Sequence, residues 1–81
     1  MLSAMNAGFV VQVTTPALGS KGPEVERYYV LGETQAGART LVRTALQLTE
    51  DQEVEVLGFL SLGEIQRLQL KPYQVRHAEE T

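Results

Sequence analysis

A chain of 81 residues with 43% hydrophobic and 21% charged side chains has the composition of one small globular domain. It contains no cysteine, which excludes a disulfide scaffold, a thiolate zinc site and a cysteine nucleophile. Ten acidic and seven basic side chains give a net charge of −3, which repels a phosphate backbone over most of the surface. We therefore expect a protein partner or a homodimer rather than nucleic acid.

The chain is expected to form a single domain over residues 1–81, with flexible ends at residues 1–7 and 77–81. No segment approaches the roughly 18 apolar residues of a membrane span, and residues 1–8 lack the pattern of a signal peptide. These features predict no membrane span and a cytoplasmic location. A domain this small buries only about 60% of its unfolded surface, so self-association would stabilise it, and we expect at least a dimer.

The first half of the chain carries the pattern of a β-hairpin. Residues from Phe9 to Thr15 are rich in β-branched side chains that alternate between two faces, as in a strand. Residues 16–24 include two prolines and two glycines, which predict a long connection. Alternation resumes from Val25 to Leu31, so the two strands are expected to pair antiparallel.

Two helices are predicted from capping residues and from apolar side chains at a period of about 3.6. Thr34 can cap the first helix, which is expected to end near Leu48. Ser61 and Glu64 have the spacing of a capping box at the start of the second helix, and Pro72 limits its length.

A third strand is predicted from Glu53 to Leu57, and residues 73–76 can add a fourth strand at an edge. The tripeptide Val-Leu-Gly ends both the second and the third strand. The predicted fold is therefore α+β, in the order ββαβα with an optional final strand. We expect a small mixed sheet of three to four strands with both helices on one face.

Strand alternation predicts which residues lie on the sheet face away from the helices. Because two helices cover only one face, apolar residues on the other face would be exposed unless a partner covers them. This reasoning predicts a non-catalytic interaction module that self-associates or docks a partner through the outer sheet face or an edge strand. The interface candidates are Val10, Gln12, Thr14, Tyr28, Val30 and Leu57.

An alternative function is anion or nucleic-acid binding through an arginine-bearing helix face. Arg39 and Arg43 lie one helical turn apart, where two guanidinium groups can hold one phosphate or carboxylate. Arg67 and Arg76 can join them if the second helix lies beside the first. A solvated helix face explains the same residues, given the negative net charge.

The sequence offers no constellation typical of catalysis or of a cofactor site. Gly32 with Gly37, and Gly58 with Gly63, have phosphate-loop spacing but lack the lysine and hydroxyl residue that must follow. These four are interpreted as turn and packing glycines. His77 is the only histidine and cannot build a multi-ligand metal site alone. We therefore expect no enzyme, no cofactor and no metal ion.

Two segments resemble SPOR peptidoglycan-binding domains over a few positions. They are the residues from Phe9 to Val13 and the strand-Gly-Phe-x-x-x-Gly-Glu-Ile stretch from Val56 to Ile65. The resemblance implies the element order strand, helix, strand, strand, helix, strand, whereas two strands precede the first predicted helix here. No site residue is transferred from it.

Overall fold

The computed structural model describes residues 7–17, 19–20 and 22–78. In chain order they form β1 (Ala7–Thr15), β2 (Glu24–Gly32), α1 (Gln35–Leu46), β3 (Glu53–Leu60), α2 (Leu62–Leu68) and β4 (Val75–His77). The predicted α+β class, the element order and the final edge strand are confirmed. The flexibility expected for residues 1–6 and 79–81 lies outside the described residues. Neither helix within the described ranges is long and apolar enough to cross a membrane.

The four strands form one sheet in the order β3-β1-β2-β4. Strands β2 and β3 both pair antiparallel with β1, so they run parallel to each other, as the intervening helix predicts. Because β1 lies between them, however, the sheet expected to be mixed has only antiparallel neighbours. The hairpin explains this order, since β2 occupies one side of β1 and leaves the other side for β3.

The hairpin register determines which face of β2 is buried under α1. Phe9 pairs with Val30 and Val11 pairs with Tyr28, so all four side chains lie on the same face of the sheet. That face packs against Ala38 and Val42 of α1. The prediction that Tyr28 and Val30 lie on the outer face is therefore wrong. Both faces of β2 are partly apolar, so alternation alone does not select the buried one.

Helix α1 begins where its cap predicts. The hydroxyl of Thr34 accepts a hydrogen bond from the backbone N–H of Gly37 at 2.9 Å. The helix ends at Leu46 and is followed by Gln47 in the left-handed conformation, with φ of 54°. The Arg43 guanidinium then donates to the backbone oxygens of Thr49 and Gln52 at 3.2 and 3.0 Å, which fixes the turn into β3.

Helix α2 carries the predicted capping box, with the side chains of Ser61 and Glu64 each bonded to the other's backbone N–H. It lies on the face opposite α1, whereas both helices were expected on one face. A Cβ placed on Gly8, which alternates with buried Phe9, would lie only 2.9 Å from Ile65 of α2. This end of the outer face carries apolar Leu31, which is buried, so covering it stabilises the fold.

A β-bulge changes the course of β3. Val11 pairs with Val56 but Val10 pairs with Gly58, so Leu57 is an extra residue. Beyond the bulge, Phe59 lies opposite Phe9, with 5.2 Å between the ring centroids. The strand therefore continues to Leu60, three residues past the expected end at Leu57, and Gly58 lies inside a strand rather than in a turn.

Candidate functional site

The structure does not bring the predicted interface residues together on one surface. Val10, Gln12 and Thr14 are half-buried on the outer sheet face. Val30 lies on the other face under α1 with none of its surface exposed, and Tyr28 packs beside it against the same core. Leu57 lies on the edge strand β3 and is 45% exposed. The continuous apolar patch expected from these residues is therefore not formed.

The outer face is instead divided into a covered end and a polar end. Helix α2 covers the end around Gly8. Toward the other end, Gln12 lies between Glu55 of β3 and Arg27 of β2 in the sheet register. The Arg27 Nε donates to the Gln12 side-chain oxygen at 3.3 Å. A row of polar side chains thus replaces the apolar surface that alternation predicted.

Strand β3 forms one edge of the sheet and carries Phe59, the most exposed large apolar side chain in the described strands. It pairs with β1 on one side and with no other strand of the described residues. Its backbone N–H and C=O groups on the free side are therefore available to another strand. Phe59 is 65% exposed beside Leu57, and Leu62 follows at the start of α2 with 70% exposure. We call the backbone of Glu53–Leu60, with these exposed side chains, the β3 edge.

The β3 edge has two halves of different chemistry. In the first half, Glu53 and Glu55 are exposed and alternate with half-buried Val54 and Val56. Exposed charges on an edge strand oppose pairing with another chain. In the second half, from Leu57 to Leu60, no side chain is charged. Only the second half is therefore suited to contact another apolar surface.

The opposite edge of the sheet is closed by a short polar strand. Strand β4 is three residues long and pairs with Tyr28, Tyr29 and Val30 of β2. The Arg76 guanidinium of β4 donates to the backbone oxygen of Leu68 at 2.6 Å, which ties the edge strand to the end of α2. A short strand with charged side chains is a common protection of a sheet edge.

A second set of contacts holds β4 against β2. The Tyr28 hydroxyl donates to Glu26 at 2.7 Å, and Nε2 of His77 lies 3.6 Å from the same carboxylate oxygen. The rings of Tyr28 and His77 meet edge to face, with 5.1 Å between their centroids. His77, expected in a flexible tail, is therefore the last residue of an ordered strand.

The surroundings of Tyr28 in this cluster favour its neutral, protonated form. Burial of Tyr28, together with its hydrogen bond to Glu26 and the charge of that carboxylate, raises the pKa of Tyr28 to about 12. The phenol is therefore a neutral hydrogen-bond donor at physiological pH rather than a base. The described residues contain no group of three or more His, Asp or Glu side chains that could hold a metal ion. A shallow concavity of about 390 Å³ beside the cluster is lined by Val25, Glu26, Arg27, His77 and Ala78.

The four arginines of the alternative anion site do not converge. Arg43 is engaged by the carbonyls that follow α1, and Arg76 is engaged by the end of α2. Arg39 lies on α1 and Arg67 lies on α2, and these helices cover opposite faces of the sheet. Two of the four guanidinium groups thus stabilise helix ends.

Phe59 is the residue of the candidate surface that sequence reasoning missed. The bulge at Leu57 decides on which face of the sheet Phe59 lies. One extra residue puts each following side chain on the face opposite to the one that regular alternation predicts. The available signal was Gly58, since a glycine inside an otherwise apolar strand often marks a bulge or a close backbone approach.

Comparison of this chain with models of protein families, with curated proteins and with solved structures found no match. The functional argument therefore rests on the geometry of the β3 edge.

Proposed function

We propose that this chain is a non-catalytic protein-interaction module that self-associates by β-strand addition at the β3 edge. The observation that carries the proposal is the combination of an unpaired edge backbone with two exposed apolar side chains, Leu57 and Phe59. In strand addition the backbone hydrogen bonds supply affinity, and the alternating side chains supply burial and specificity.

The two edges of the sheet favour pairing of β3 with β3 over pairing of β3 with β2. Residues 28–30 of β2 are already paired with β4, and the N–H of Ala78 donates to the oxygen of Arg27 at 2.8 Å. The rest of the β2 edge is two short stretches, residues 24–26 at one end and residues 31–32 at the other. A contact between two copies of β3 uses the longer edge on both chains and closes as a two-fold dimer.

The size of the domain supports the same arrangement. A chain of 81 residues has a small core for its surface, and a permanent neighbour increases the apolar area removed from water. Joining two β3 edges would also cover the backbone groups that an isolated edge leaves to solvent.

The test is sedimentation velocity of three proteins over a range of micromolar concentrations. The wild-type chain is expected to sediment as a dimer, and Phe59→Lys as a monomer because it places a charge in the contact. Val25→Lys is the matched control, since Val25 is also a strand residue, is 51% exposed, and lies away from β3. This variant should remain dimeric. A monomeric wild type, or a dimer unchanged by Phe59→Lys, would contradict the proposal.

A further inference from the structure

We infer that the second copy pairs antiparallel to β3 with its own Gly58 directly opposite Gly58 of the first copy. This inference rests on the proposed self-association and specifies how the two chains meet. The product is a continuous eight-stranded sheet, formed from the four strands of each chain, with a two-fold axis passing between the two glycines.

The glutamates of β3 disfavour registers centred nearer the start of the strand. A two-fold centred on Val54 would place Glu53 opposite the partner's Glu55, and like charges directly opposite each other destabilise a strand pair. A two-fold centred on Val56 would place Glu53 opposite the partner's Phe59. Centring on Gly58 removes both conflicts. The partner's Glu55 then lies opposite position 61, six residues or about 20 Å along the strand from Glu55.

The same register places the uncharged half of β3 in one copy alongside the uncharged half of β3 in the other. Leu57 lies opposite the partner's Phe59, and by symmetry Phe59 lies opposite the partner's Leu57. These two residues are 45% and 65% exposed in the single chain. Because Leu57 is the extra residue of the bulge and Phe59 lies on the α1 face opposite Phe9, the register covers the backbone and flanks of this half of β3 without requiring these two side chains to meet. Each apolar half of β3 is thus covered by the apolar half of the other copy.

No contact within one chain requires position 58, at the centre of the inferred strand pair, to be a glycine. A Cβ added to Gly58 would meet no atom within 4 Å. Its φ is not positive, so the bulge does not require glycine for its backbone conformation. A glycine in a strand interior also marks a place where another backbone approaches closely, and the register supplies that backbone.

The chain offers a direct test of the register because it contains no cysteine. In Gly58→Cys the new side chain enters open space, so the fold should be kept, which circular dichroism checks. Directly opposed residues of antiparallel strands have Cα atoms about 4.5 to 5.5 Å apart, within the disulfide range of about 4.4 to 6.8 Å. Mild oxidation should therefore convert most of this variant into a covalent dimer that a reducing agent reverses.

Glu55→Cys is the matched control because it introduces one exposed cysteine on the same strand. It should remain largely uncrosslinked under the same oxidation, since the two thiols are about 20 Å apart in the inferred register. Sedimentation of both variants under reducing conditions separates the inference from the proposed function. Dimers that crosslink at position 55 rather than 58 would overturn the register and leave self-association standing. Monomers under reducing conditions with no crosslink at either position would overturn the proposed function itself.

Discussion

The two edges of this sheet differ in length, chemistry and covering. Strand β4 has three residues, and both of its charged or titratable side chains, Arg76 and His77, contact neighbouring elements. Strand β3 has eight residues, a free side, and exposed Leu57 and Phe59. Because natural sheets protect their edges against pairing, the uncharged half of β3 is the feature on which our proposal of strand addition rests.

The largest expected difference in stability is between alanine variants of Phe9 and Phe59, whose rings are in contact. Phe9 is 2% exposed, so Phe9→Ala removes a core ring and should lower the free energy of unfolding by about 3 to 5 kcal/mol. Phe59→Ala should cost about 1 kcal/mol, because that ring is mostly in solvent in one chain. Urea unfolding at concentrations low enough to keep the chain monomeric measures both. Equal losses would show that Phe59 belongs to the core rather than to a contact surface.

A smaller effect is expected at the closed edge. Arg76→Met keeps much of the apolar stem but removes the bond to the backbone oxygen of Leu68, which should cost about 1.5 to 3 kcal/mol. Arg39→Met is the control, because Arg39 is exposed on α1, and it should change stability by about 0.5 kcal/mol or less. Neither change should alter the oligomeric state measured by sedimentation. An Arg76→Met protein that loses its dimer while remaining folded would place β4 in the contact.

Helix α2 joins β3 to β4 in the chain. Its N-terminal cap is expected to contribute less to the free energy of unfolding than the Arg76 hydrogen bond does. Ser61→Ala removes the hydroxyl that accepts from the Glu64 backbone and should cost about 1 kcal/mol, measured by urea unfolding at neutral pH. Ser20→Ala, in the exposed hairpin loop, is the control and should have little effect.

The backbone N–H and the hydroxyl of Ser61 both donate to the Glu64 carboxylate and lower its pKa, so the stabilising contribution of Glu64 is present at neutral pH and is lost as the carboxylate is protonated in acid. The stability difference between wild type and Ser61→Ala should therefore shrink on acidification. A difference that does not change with pH would exclude a charged capping box.

The smallest expected effect on stability is that of the Tyr28 hydroxyl, and it can be measured only at alkaline pH. Burial and Glu26 raise its pKa to about 12, above the ordinary value of 10.0, so the unfolded chain loses this proton first as pH rises. The contribution of Tyr28 is complete below pH 10 and is lost as pH rises toward 12. Urea midpoints across this range should fall more steeply for wild type than for Tyr28→Phe. Parallel curves would show that the phenol does not stabilise the contacts between β2 and β4.

The sequence predicts elements better than it predicts faces. Capping residues and alternation located both helices and the first three strands, because these signals are local. The buried face of β2 depends on pairing Phe9 with Val30, a contact between distant residues that its Tyr-Tyr-Val pattern leaves open. The face of Phe59 depends on one extra residue at Leu57. The candidate surface could not be predicted for the same reason, since it follows from strand order and from the bulge.

Residue-resolved amide hydrogen exchange at two protein concentrations tests the difference between the edges most directly. Outward-facing amides of β3 between Val56 and Leu60 are expected to exchange rapidly in dilute protein and much more slowly in concentrated protein, because a second strand then holds them. Amides of β4 should exchange at the same rate at both concentrations. Exchange in β3 that is independent of concentration, or protection that grows at β4 instead, would contradict the account.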